Sequence, residues 1–199
     1  MKKEEYQLSL IRHGETEWNK ERRLQGQTDT SLSKFGREQA SILAEKLKNT
    51  KIELIFSSDL KRAKETSELI SRELRTGIVY HPGLREIHLG EAQGILESDL
   101  SSKFGEGSYS AWKSSEEIHD QFRFPGGESK LEAECRIIET ILNLLKMNGK
   151  ENIAICSHGF VLSRFYNRFS SKEFPQSKLE NCEVLELFLS LEISERNSI

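Results

Sequence analysis

Three short apolar runs in this chain each end directly on a polar signature. Residues 6–11 alternate at first, become fully apolar, and run into Arg12-His13-Gly14-Glu15-Thr16. Residues 52–56 end on Ser57-Ser58, with Arg62 in the first turn of the helix expected next. Residues 152–156 run into Ser157-His158-Gly159. Strands interleaved with helices imply an α/β domain, because parallel neighbours need a crossover that a helix fills. The carboxyl ends of parallel strands lie on one edge of the sheet, and ligands bind there. The expected architecture is a three-layer sandwich: a mostly parallel central sheet flanked by helices, with the active site at the carboxyl ends of the strands.

The remaining patterning fits one domain over residues 1–199. Residues 33–48 carry Ala40, Leu43, Ala44 and Leu47 at helical spacing. A helix over 59–74 would bury Leu60, Ala63, Ser67, Ile70 and Leu74 and stop at Gly77. Residues 78–80 form a short strand. Ser129-Lys130-Leu131-Glu132 is a capping-box pattern. The helix it opens would bury Leu131, Cys135, Ile138, Leu142 and Leu145 and end before Gly149. A further helix follows Gly159 to about residue 168. Residues 184–193 form one or two final strands, paired internally or with a second copy in a homodimer. Residues 84–127 are polar and irregular, with at most short helices near 98–104 and 109–113. Such an insertion reads as a cap or binding wall, with a tolerated surface insertion as the alternative.

Composition excludes several classes. The formal net charge is -3 over 199 residues, so there is no basic field for nucleic acid. No uninterrupted apolar stretch of about 18 residues suggests a membrane span, and the charged start, Met1-Lys2-Lys3-Glu4-Glu5, is unlike a signal peptide. Cys135, Cys156 and Cys182 are odd in number and far apart. They read as buried free thiols of a cytoplasmic protein rather than a disulfide framework.

If the three signatures share one sheet edge, that edge holds two histidines, two arginines and helix N-termini, a pocket suited to an oxyanion such as phosphate. Neutral imidazole attacks phosphorus to form a phosphohistidine. Catalysis of phosphoryl transfer is mostly positioning and charge stabilisation, and arginine's planar fork grips two oxygens while staying charged. A nearby carboxylic acid can protonate the leaving oxygen. Taken singly, each residue also has a plain reading: His13 or His158 as a structural hydrogen-bonder, Arg62 as a solvated helix charge, Glu86 as a loop carboxylate.

Together these residues resemble the histidine phosphatase superfamily, the phosphoglycerate mutase-like enzymes. Leu10-Ile11-Arg12-His13-Gly14-Glu15-Thr16-Glu17-Trp18-Asn19 is similar to that family's N-terminal signature. A pentad such as Arg-His-Gly-Glu-Thr arises by chance about once in a few million positions. Arg23-Leu24-Gln25-Gly26 with Asp29, Ser57-Ser58-Asp59-Leu60-Lys61-Arg62-Ala63, Leu84-Arg85-Glu86-Ile87, Pro125-Gly126-Gly127-Glu128-Ser129 and Ser157-His158-Gly159 continue the likeness in order. The resemblance implies His13 as phosphorylated nucleophile. It implies Arg12, Arg62 and His158 as the phosphate pocket, and Glu86 as general acid and later base. Asn19, Gln25 and Gly26 would line the substrate side, and Gly159 and Phe160 would add backbone N–H donors. No metal or diffusible cofactor is implied.

The implied activity is a phosphomonoesterase acting on a small phosphorylated metabolite through a phosphohistidine. The Pro-Gly-Gly-Glu-Ser segment looks like the broad-specificity phosphatase branch. A cofactor-dependent phosphoglycerate mutase is the alternative; its pocket needs extra cations for a second anionic group, and residues 84–127 offer Lys103, Lys113 and Arg123 but no paired Arg. A non-catalytic phosphate-binding module would need the loss of a core group, yet all five are present. A metal site lacks a His-x-x-x-His pair and would set a cation beside two arginines. A P-loop is absent from the sequence.

Overall fold

The computed structural model describes residues 2–171 and 179–193. Its sheet has the order β3-β2-β4-β1-β5. The strands are β1 (Lys2–Arg12), β2 (Leu54–Ser57), β3 (Gly77–Tyr80), β4 (Asn152–Ser157) and β5 (Val184–Ile193). The first four are mutually parallel, and β5 closes one edge antiparallel to β1. Two core layers lie on opposite faces. Leu8, Leu10, Phe56, Ile153 and Ile155 pack with α6 (Lys130–Asn148) and α7 (Gly159–Phe169). Ile11, Ile55, Ala154 and Cys156 pack with α2 (Lys34–Leu47) and α3 (Lys61–Leu74). This is the three-layer α/β sandwich expected from the alternation of strands and helices. Short elements complete it: α1 (Glu17–Lys20), α4 (Leu100–Phe104) and α5 (Ser108–Lys113), with single 3-10 turns between β3 and α6.

Local sequence explains most boundaries. Ser33 caps α2 by accepting the Gly36 N–H, and the buried face is the expected Ala40, Leu43, Ala44 and Leu47. Ser129 and Glu132 form the capping box that opens α6, and Gly149 ends it in the left-handed region.

Several expectations need correction. β1 starts at Lys2 rather than residue 6, because β5 supplies a pairing partner for every residue from Lys2 to Ile11. Pairing, not hydropathy, extends it. Helix α3 ends on Arg75, itself left-handed at φ 54°, and Gly77 instead begins β3. Leu74 is only half-buried, whereas Arg62 and Thr66 join the buried face. Helix α6 is rotated from the expected stripe. It buries Lys130, Ala133, Ile137, Thr140, Ile141, Leu144 and Leu145, leaving Leu131 and Cys135 exposed. Each large aliphatic side chain buried there stabilises the fold by roughly 1.5–3 kcal/mol. Of the three free thiols, only Cys156 is fully buried, and Cys182 is half-buried.

The first strand end is locked to α2 by a close approach of backbones. A Cβ on Gly36 would lie 2.0 Å from the Glu15 carbonyl oxygen, and one on Gly14 would lie 2.5 Å from that of Gly36. Gly36→Ala therefore forces α2 off the His13 loop. The expected cost is about 2 kcal/mol, a fall of several degrees in Tm. Thermal unfolding of the variant checks this; an unchanged Tm would overturn it.

Candidate active site

The parallel strands bring the three polar signatures to one sheet edge. Arg12 ends β1, His13 follows it, Ser58 follows β2, Arg62 lies in the first turn of α3, and His158 caps α7. Arg12, His13, Arg62 and His158 are all buried. The two imidazole rings stand 5.1 Å apart, edge to face.

Each group is held by specific bonds. His13 Nδ1 lies 2.7 Å from the Gly14 carbonyl oxygen, an acceptor only, so Nδ1 carries the proton and Nε2 the lone pair. Arg62 Nε donates to that Nε2 at 3.2 Å. The terminal nitrogens of Arg62 donate to the carbonyls of Gly26 (2.7 Å) and Thr28 (2.8 Å). Arg12 donates to the Leu179 carbonyl. Ser58 Oγ accepts the Leu60 N–H and lies 2.9 Å from His158 Nε2.

Two buried side-chain atoms in the described residues have no hydrogen-bond partner: Arg12 Nε and His158 Nδ1. Leaving a buried polar group unpaired costs about 1–3 kcal/mol, so two such nitrogens in one pocket, one of them the guanidinium donor of Arg12, mark a place built to receive a polar ligand. The electrostatics agree. Burial pushes the Arg62 guanidinium down to about 10, opposed by the negative charge of Glu86. Arg12 is lowered for the same first reason, with Glu86 again the leading opposing charge.

Glu86 lies in the irregular segment after β3. Its carboxylate accepts the N–H groups of Ile87 (3.0 Å), Phe160 (3.1 Å) and Val161 (3.3 Å), which seats it on the N-terminus of α7. The Phe160 N–H, expected on the substrate side, is thus donated to Glu86, and the Phe160 ring stacks on Trp112 at 5.5 Å. Gly159, the first residue of α7, packs on Arg12: a Cβ there would stand 3.4 Å from Arg12 Nε. Gln25 has its Oε1 taken by the hydroxyls of Thr16 and Thr30. Asn19 closes the capping box of α1 with Thr16. Gly26 is left-handed at φ +52°, and a Cβ would lie 2.4 Å from Gln93 Oε1. Asn181 is a further residue at the site, its Nδ2 donating to the His13 carbonyl at 2.8 Å. No motif surrounds it to signal this.

The sequence profile described as "Histidine phosphatase superfamily (branch 1)" matches residues 8–191. The chain belongs to that family. Among known proteins it is 35% identical to "Phosphoglycerate mutase-like protein 4" of Arabidopsis thaliana over 181 residues, 89% of this chain and 77% of the relative. It is 34% identical to "Metal-independent phosphoserine phosphatase" of the same plant, over 89% of this chain and 74% of the relative. The fold matches a mycobacterial glucosyl-3-phosphoglycerate phosphatase in complex with VO3, with a TM-score of 0.81 and 26% identity over 91% of this chain and 92% of that one.

The buried His158 is held well below the usual histidine value of 6.5, first by burial and then by the charge of Arg62, with His13, Arg12 and Arg136 adding to it. Above pH about 6.5 neither folded nor unfolded chain protonates it. Below that, the unfolded chain gains a proton that the folded chain refuses, so this group removes about 1.4 kcal/mol of stability per pH unit. Unfolding free energies of wild type and His158→Gln measured from pH about 7.5 to about 5.5 should diverge in slope, with the variant flatter. Parallel slopes would overturn the assignment.

Proposed function

We propose that the chain is a phosphomonoesterase that transfers the phosphoryl group of a small phosphorylated metabolite first to His13 Nε2 and then to water. The observation that carries this is the His13 lone pair at Nε2, fixed by the Nδ1 bond to Gly14 and faced by Arg62, beside two unpartnered buried nitrogens, Arg12 Nε and His158 Nδ1. In the first half, the ester P–O bond breaks as the Nε2–P bond forms. Arg12, Arg62 and His158 hold the equatorial oxygens. Glu86, entering this half protonated, gives that proton to the leaving oxygen and is left as the carboxylate. In the second half, Glu86 takes a proton from water, the new O–P bond forms, and the N–P bond breaks to release inorganic phosphate. Asn19, Gln25, Gly26 and Gly159 line the substrate side, and Phe160 acts through the bond that seats Glu86.

Hydrolysis is favoured over isomerisation of phosphoglycerates by the commitment of two of the three outer cations. Lys113 Nζ is 2.6 Å from Glu97, and Arg123 donates to Glu132 at 3.0 Å. A second anionic group would have to compete with these carboxylates. No helix in the described residues is long and apolar enough to cross a membrane. The three free thiols support a cytoplasmic location.

His13→Ala should abolish the acid-labile phosphoenzyme formed on rapid mixing with a phosphate ester; retained labelling at another residue would sink the nucleophile assignment. Incubation with a phosphoglycerate should release inorganic phosphate. Isomer interconversion without release would establish the mutase instead. Glu86→Gln should slow alkyl phosphates about 10²-fold while aryl phosphates, whose leaving groups need no proton, change little. Equal slowing would show that Glu86 is not the acid.

A further inference from the structure

Glu86 sits on a segment with no regular secondary structure, so its placement has to come from side-chain tethers. Ser157 Oγ donates to the Leu84 carbonyl at 2.6 Å and Gln27 Nε2 to that of Glu86 at 3.0 Å; three more come from Arg136, in the second turn of α6. Nε donates to Glu128 Oε1 at 2.7 Å, and one terminal nitrogen donates to the carbonyls of Gly83 and Arg85, both at 2.8 Å. The other donates to the Glu86 carbonyl at 3.2 Å and to Glu128 Oε2 at 2.9 Å. All five N–H donors of the guanidinium are therefore spent, three of them on the chain that carries Glu86. Glu128 completes the brace: its Oε2 accepts the His88 N–H at 2.7 Å, and its own N–H donates to the His88 carbonyl at 2.8 Å. The pair holds the segment on both sides of Glu86. It leaves the carboxylate free for the N–H groups of Phe160 and Val161 at the start of α7.

We infer that Arg136 and Glu128 are positioning residues for proton transfer: they fix the backbone of residues 83–88 so that the Glu86 carboxylate stays on the leaving-group side of the phosphate pocket. Neither touches the reacting atoms. The fork geometry is essential, because a lysine ammonium has three donors from one point and cannot reach three carbonyls and a bidentate carboxylate together. A general acid displaced by about 1 Å loses much of its effect. The loss should fall on substrates that need the proton and spare binding of the phosphoryl oxyanion.

This inference rests on the reading of Glu86 as the acid, and the test separates the two. Phosphoenzyme formation is measured with an aryl and an alkyl phosphate for wild type, Glu86→Gln, Arg136→Lys, Glu128→Gln and the double variant Glu86→Gln/Arg136→Lys, together with inhibition by vanadate. Arg136→Lys and Glu128→Gln should each lose about tenfold or more on the alkyl ester, with aryl rates and vanadate inhibition near wild type. Arg136→Lys should add little to Glu86→Gln, since it acts through the same carboxylate. Uniform loss on both esters, weakened vanadate inhibition, or additive effects in the double variant would overturn the positioning role. Absence of leaving-group discrimination in Glu86→Gln alone would instead overturn the acid assignment. Glu128→Gln, which keeps the size of the side chain, serves if Arg136→Lys fails to fold.

Discussion

The burial of two guanidinium groups at the strand ends is the constraint around which the rest of the site is arranged. Among the described residues neither Arg12 nor Arg62 makes a salt bridge, and taking an unpaired charge out of water costs several kcal/mol. Backbone carbonyls offset part of that cost: Gly26 and Thr28 for Arg62, Leu179 for Arg12. Those carbonyls come from irregular segments, which must be bent to present them. Gly26, which presents its carbonyl to Arg62, is left-handed; Cys182 is left-handed too, at φ 59°, and its N–H donates to the Arg12 backbone carbonyl. Asn181, beside it, ties the same segment to the His13 carbonyl. The loops over 25–30 and 179–183 thus take their shape from solvating buried charge as well as from packing, since Leu179 is also a buried core residue.

That explains what could be read from the sequence and what could not. The strands β1, β2 and β4 are apolar runs whose ends coincide with polar signatures, so hydropathy and motif spacing locate them together. The face of α2 is likewise legible, because Ala40, Leu43, Ala44 and Leu47 form one stripe with no competitor. Helix α6 is different. Ile137 and Ile138, Ile141 and Leu142, and Leu144 and Leu145 are adjacent apolar pairs, so two stripes of similar strength exist. Polar bonds decide between them: the observed rotation lets Lys130 Nζ donate to the carbonyls of Ala111 and Ser114 and lets Arg136 reach Glu128. A hydropathy pattern carries no record of those carbonyls. The left-handed Arg75 that ends α3 is hidden for a related reason: Gly77 is the residue suited to a cap, but it is taken up by β3.

The same logic divides the site into a part set by the sheet and a part set by tethers. His13, Arg12, Arg62 and His158 hang from strand ends and first helical turns, whose positions follow from the core packing on both faces. The carboxylate and the substrate wall lie in the stretch between β3 and α6, where each contact is a separate bond. Residues 22–24 are zipped to 94–97 by backbone bonds from Leu24 to Ile95, Gly94 to Leu24 and Glu97 to Arg22. Lys130 holds the end of α5 from below. Trp112 of α5 stacks on Phe160, whose N–H holds Glu86. A change of side chain along that wall can therefore alter which ester fits while the buried oxyanion pocket keeps its geometry. The wall is still coupled to the strand-end cluster through Phe160, because the N–H that seats Glu86 and the ring that meets Trp112 belong to one residue.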